Sequence, residues 1–355
     1  MSEFRAAEAF PPGEFLREEL EARGWAESEF AQILGRPVQV VSEIVNGKKS
    51  ITPETAVALG EALGTSAELW LNLQSAYRLQ QLSDSKLELS PVARRAHLRS
   101  LVPVRELQRR GWVADTKDLD ELEASVAELL GVADVSQRPT FAAAARRSNA
   151  GDELTPEQMA WIAHVARVAS HREVGTFDPS ALEDLASDLV HRLVNVHDLG
   201  QLEGWLGEAG VVLVLVAPLR SSKIDGISMF VDGVPVIGLS ARWDRMDVFV
   251  FTLLHEIAHI VSGHLDGVGI HLDENLDDSA HLEIEVEANE LAGGWVLPAE
   301  LGLGSSPSLG DVVEAASRFD VHACFIVGRL QRDGVVGWNE MRRLVPKVRP
   351  YIGMG

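Results

Sequence analysis

Phe249–His264 reads FVFTLLHEIAHIVSGH, and inside it His255-Glu256-Ile257-Ala258-His259 sets two histidines four residues apart. Residues at that spacing lie one helical turn above each other, so His255 and His259 present two imidazoles on one side. Two neutral nitrogens placed in this way can grip one metal ion. Glu256 follows about 100° around the helix, close enough to reach a water at the metal without ligating it. The pattern points to zinc-dependent peptide hydrolysis. Phe249, Leu253, Ile257 and Val261 recur every four residues and are expected to bury the side opposite the histidines, with Gly263 as the stop.

Catalytic zinc usually takes three protein ligands and keeps one position open, so a further donor is required. Glu285, Glu287 and Asn289 lie on a predicted helix from Leu282 to Val296, after a polar return loop. Glu285 and Glu287 point about 200° apart on such a helix, and the two compete for the place. The same set of two imidazoles and a carboxylate also accepts manganese or iron. His264, His271 and His281 are candidates for stabilising an oxyanion. Before the metal helix, Val211–Val216, Gly226–Val231 and Pro235–Leu239 read as strands, with Asp232-Gly233 as a hairpin turn. The edge of such a sheet could hold an extended peptide by its main chain.

Glu285–Ala292, EVEANELA, followed by Val296-Leu297-Pro298, is similar to the second motif of the ImmA/IrrE metallopeptidases. Phe251-Thr252-Leu253-Leu254 matches the lead-in of that family's first motif. The resemblance spans about residues 177–340. It implies His255, His259 and Glu285 as metal ligands, Glu256 as general base, and Asn289 as a group steadying a ligand histidine.

Towards the N-terminus, helices are expected at Glu14–Gly24, Ala26–Leu34 and Val38–Val45, with Gly35-Arg36-Pro37 and Asn46-Gly47 as turns. Thr52 and Pro53 start another helix as N-cap and first residue, and Thr65–Gln80 supplies the last. The run AQILGRPVQVVSEIVNGKKSITPETAVALGEALGTSAELWLNLQSAYRL resembles the XRE-type helix-turn-helix of HigA-like antitoxins and plasmid-maintenance regulators, over residues 14–80. That resemblance implies a five-helix, commonly dimeric DNA-binding module whose third helix enters the major groove. Carried onto this chain, it makes Gln39, Val40 and Ser42 base-facing and Arg36, Lys48 and Lys49 phosphate contacts. Val38 and Glu43, however, stand where such helices often carry arginine. Residues 1–80 hold seven basic against twelve acidic side chains, the reverse of an electrostatic footprint. A dimerisation or partner-docking module is the rival reading.

Between these halves, residues 83–176 read as a helical connector. Its Arg94, Arg95, Arg99, Arg105, Arg109 and Arg110 form the most basic stretch, either a solvated helical face or a surface for DNA or an acidic partner. The 355 residues, 46% hydrophobic, allow two or three domains. One cysteine, Cys324, excludes a disulfide framework and fits a reducing compartment. No secretory signal or membrane span is read, so a cytoplasmic protein is expected. A net charge of −21 restricts any nucleic-acid binding to a local patch.

The expected fold is α+β and mostly helical: a helix-turn-helix domain over 1–82, the connector over 83–176, and a zincin-like metallopeptidase domain with a small sheet over 177–355. Two functions follow from different classes. One is a zinc peptidase linked to a helix-turn-helix, cutting a repressor or antitoxin-like protein and acting as a homodimer, with operator DNA as a further partner. The other is a HigA-like antitoxin or repressor whose peptidase fold is not catalytic.

Overall fold

The computed structural model describes residues 10–84, 90–141, 153–266, 270–272 and 279–353, with the side chains of 82–84, 271, 272 and 279–282 outside that set. The chain divides between Ala93 and Arg94 into two compact units.

The first unit contains α1 (Pro12–Arg23), α2 (Glu27–Ile33), α3 (Val38–Val45), α4 (Pro53–Leu63) and α5 (Ala67–Asp84). Leu16, Leu20, Phe30, Val41, Ile44, Leu59 and Trp70 form its core. The expected punctuation is present. Gly24 ends α1 at φ 68°, a left-handed conformation that costs glycine little. Thr52 caps α4 by accepting the Thr55 N–H at 3.3 Å, with Pro53 at the first helical position. A Cβ at Gly13 would lie 2.4 Å from the carbonyl oxygens of Ile44 and Val45, so only glycine lets α1 approach the end of α3 this closely.

The second unit continues from α6 (Pro91–Leu101), which crosses the boundary, through α7 (Val104–Arg110), α8 (Leu119–Leu130) and α9 (Pro156–Ala169). α10 (Pro179–Arg192) and α11 (Leu202–Glu208) lead to β1 (Val212–Leu215), β2 (Gly226–Val231) and β3 (Val234–Leu239). Then come α12 (Met246–Val261), β4 (Ile270–Leu272), α13 (Ser279–Val296), α14 (Leu309–Phe319) and α15 (Ala323–Arg332). The strand order is β1-β3-β2-β4, with β1 parallel to β3 and the other pairs antiparallel. Asp232 at φ 50° and Gly233 at φ 82° turn β2 into β3, the two consecutive left-handed residues of a type I′ hairpin. β4 was not among the expected strands, because three residues are too few to show an alternation.

The sheet is buried on both faces. Leu213, Ile237 and Leu239 pack with Phe249, Leu253 and Ile257 of α12. On the other face Val212, Val214 and Val236 pack with Leu107, Val126 and Trp161 of the preceding helices. The stretch expected as a connector is therefore structural: α7, α8 and α9 supply one wall of the sheet's core, and no break in packing falls near residue 176. Gly238 shows how close this wall comes, since a Cβ there would meet Val165 of α9 at 2.9 Å. Arg110 fixes α7 to the loop after β1, donating to the carbonyls of Ala217 at 2.8 Å and Pro218 at 2.7 Å. Among the described residues, no helix is long and apolar enough to cross a membrane.

Candidate functional site

α12 departs from the amphipathic helix that its periodicity predicts. Phe249, Leu253 and Ile257 are buried as expected, but so are His255, Glu256 and His259, at 3%, 0% and 0% exposure. The reason is α13, which packs along α12 and covers the histidine side. Buried imidazoles and carboxylates are costly unless they are bound to partners, so this burial demands an explanation in chemistry.

Glu285 of α13 provides it. Its Oε2 lies 3.2 Å from His255 Nε2 and its Oε1 lies 3.6 Å from His259 Nε2, while the two Nε2 atoms are 3.0 Å apart. Donors bound to one tetrahedral zinc at about 2.0–2.1 Å would stand about 3.3 Å from each other. The three separations bracket that value. His255, His259 and Glu285 are thus a donor set of the right kind and spacing for a divalent cation. Glu287, the competing carboxylate, points elsewhere.

Glu287 instead touches His264, whose Nε2 is 3.3 Å from Glu287 Oε2 and whose Nδ1 is 2.9 Å from His259 Nδ1. With a neutral His264 whose Nε2–H donates to the carboxylate, Nδ1 of that ring accepts, and His259 then donates from its own Nδ1. That tautomer leaves the lone pair of His259 Nε2 facing His255 and Glu285. A relay of this kind orients a ligand histidine. Asn289 was expected in that role, but it is exposed and makes no hydrogen bond to either histidine among the described residues. The resemblance that suggested Asn289 could not show that the α12 C-terminus turns at Gly263, φ 71°, and returns His264 beneath His259. The side chains of His271 and His281 lie outside the described residues.

Sequence reasoning also missed Gly226. A Cβ on this first residue of β2 would come within 2.4 Å of Glu256 Oε1 and 2.8 Å of Thr252 Cγ2. The carboxylate of Glu256 is thereby seated against the start of the strand. Gly226→Ala should force Glu256 or the strand aside and destabilise the second unit by about 1–3 kcal/mol, the usual cost of overpacking. Denaturant unfolding of the variant measures this, and an unchanged midpoint would contradict the packing. One turn before His255, Phe251 walls an apolar cavity of about 140 Å³ together with Phe325 and Trp338, with Arg332 stacked over Phe251 at 4.9 Å.

In the first unit, α2 and α3 are joined by the tight turn through Gly35, φ 61°. Gln39, Lys48 and Lys49 are exposed, while Arg36, Val40 and Ser42 are half-buried. Gln39 Nε2 donates to Glu43 Oε1 at 2.9 Å, so an acidic side chain stands directly beside a position expected to face bases. The Lys48 and Lys49 N–H groups both donate to the Glu43 carbonyl, which folds the lysines back onto the end of α3.

Residues 16–70 match the family model described as helix-turn-helix. YddM of Escherichia coli (strain K12), named an uncharacterized HTH-type transcriptional regulator, is 34% identical over 70 residues, which are 20% of this chain and 74% of that protein. The chain belongs to the helix-turn-helix family. Virulence-associated protein I of Dichelobacter nodosus is 36% identical over 83 residues, covering 23% of this chain and 77% of the relative. Among solved structures, an addiction module antidote protein of a HigA family from Coxiella burnetii is 37% identical, with a TM-score of 0.22 over 24% of this chain and 99% of that one.

Proposed function

We propose that this chain is a helix-turn-helix transcriptional regulator whose second unit is a metal-dependent peptidase. The regulator half draws on its family membership and on relatives named as HTH-type transcriptional regulators. The hydrolase half rests on one observation: three donor atoms from His255, His259 and Glu285 converge at the buried face of α12, the helix on which Glu256 follows His255. The ImmA/IrrE resemblance of the two motifs agrees with this assignment. A zinc ion held there would act as a Lewis acid that polarises a peptide carbonyl and acidifies water. The chain's own residues do the remainder. His264 and Glu287 fix the tautomer of His259, and Glu256 accepts a proton from the attacking water and passes it to the leaving amine. The substrate in this reading is a repressor or antitoxin-like protein.

A second reading keeps the regulator and drops the chemistry: an antitoxin-like repressor with a structural second unit. It is favoured by the family match, which lies wholly within residues 16–70. The acidic α3 face weighs against strong DNA binding in either case. If α3 reads DNA, Lys48→Ala should weaken binding evenly across sequences and reduce the salt slope by about one, whereas Gln39→Ala should relax sequence preference. Glu43→Gln should tighten binding by removing a charge repelled by phosphate. Titration of the chain's own upstream region at two salt concentrations tests all three. No complex at low salt would leave the first unit as a dimerisation or docking module.

A further inference from the structure

α6, α7 and the segment leading into α8 enclose a hollow of about 330 Å³ that plays no part in the metal centre. Three cationic side chains line it: Arg95 and Arg99 on α6 and Lys117 before α8. No acidic residue does so among the described residues. Three of the nearby acids are already committed. Asp120 and Glu123 are bound by Arg94, and Asp118 Oδ1 accepts the N–H groups of Asp120 and Glu121 as the cap of α8. A chain of net charge −21 thus places three cations and no carboxylate among the residues that line this concavity.

The rest of the wall completes a recognisable chemistry. Leu119 and Leu122, both half-buried, give an apolar wall against which a flat ring can lie. Gln108 is held by its donation to the Ala114 carbonyl at 3.2 Å, and the Thr116 hydroxyl accepts the Asp118 N–H at 3.1 Å, which leaves the hydroxyl proton to donate. We propose that this hollow binds a nucleoside phosphate, with the phosphates on Arg95, Arg99 and Lys117 and the base over the leucines. The volume falls within the range of small-molecule sites, about 300–1,000 Å³, and a concave pocket suits a compact anion better than the convex backbone of a duplex. Because these helices also form one wall of the sheet's core, a ligand here would be read directly by the second unit. The proposal does not depend on peptidase activity.

Calorimetric titration of the full chain with ADP, GDP and UDP, with pyrophosphate as the base-free control, tests it. At least one nucleotide should bind more tightly than pyrophosphate. Arg99→Gln and Lys117→Gln should each weaken that binding about tenfold, the loss expected for a hydrogen bond to a charged group. Arg109→Gln, which removes an exposed cation of the same basic stretch but outside the hollow, should leave it unchanged. No binding by any of the three nucleotides overturns the proposal. So does pyrophosphate binding as tightly as the nucleotides, equal weakening by Arg109→Gln, or displacement of the nucleotide by a short DNA duplex.

Discussion

The purified chain should carry about one zinc per subunit, and a His255→Ala, His259→Ala double variant should carry none. Both imidazoles are buried, and each Nε2 lies within 3.6 Å of a Glu285 oxygen, so removing both leaves Glu285 alone of the three-residue donor set. The loss should also be visible without any activity. A metal that binds only the folded state stabilises it by about 4 kcal/mol when present at a thousand times its dissociation constant. Zinc should therefore raise the unfolding midpoint of the second unit in the wild type and do nothing to the double variant. Comparing each chain with and without metal cancels the cost of the cavities left by alanine. Full metal occupancy in the double variant would sink the assignment of the centre.

How much of this was legible beforehand differs between the two units. The helix-turn-helix could be read almost residue by residue, because its information is local: Gly24, Thr52-Pro53 and the α3 limits act within a turn of themselves. The pairing of His255 with His259 was legible for the same reason, since an i, i+4 spacing is a property of one helix. What could not be read depends on contacts between distant segments. The role of α7, α8 and α9 as a wall of the sheet has no signature in their own periodicity, which looks the same whether a helix packs on a sheet or on another helix. His264 and Gly226 were passed over because their importance comes from a turn and a strand start that meet α12 only in the folded chain. The basic stretch was visible, but which of its arginines are already held by acids was not. Arg94 is, by Asp120 and Glu123, whereas Arg95 and Arg99 line a hollow.

Replacing Glu256 by glutamine should separate catalysis from architecture. The carboxylate is fully buried and seated against Gly226, so an isosteric amide fits the same space and leaves the donors of His255, His259 and Glu285 where they are. Metal content and unfolding midpoint should stay close to those of the wild type. The amide cannot accept the proton of the attacking water, and a general base contributes about 10²–10⁴-fold to such a step. Cleavage of a co-expressed partner regulator should fall by at least that lower factor. The uncut partner should then remain associated with the variant, which makes Glu256→Gln a bait for the substrate. The comparison scores metal content, fragments of neighbouring regulators and transcriptional output, in wild type and variant side by side. If output and fragment pattern are the same in both while the metal is retained, Glu256 moves no proton in the cell. The second unit would then serve the helix-turn-helix as a structural partner, and the antitoxin-like regulator would be the function that remains.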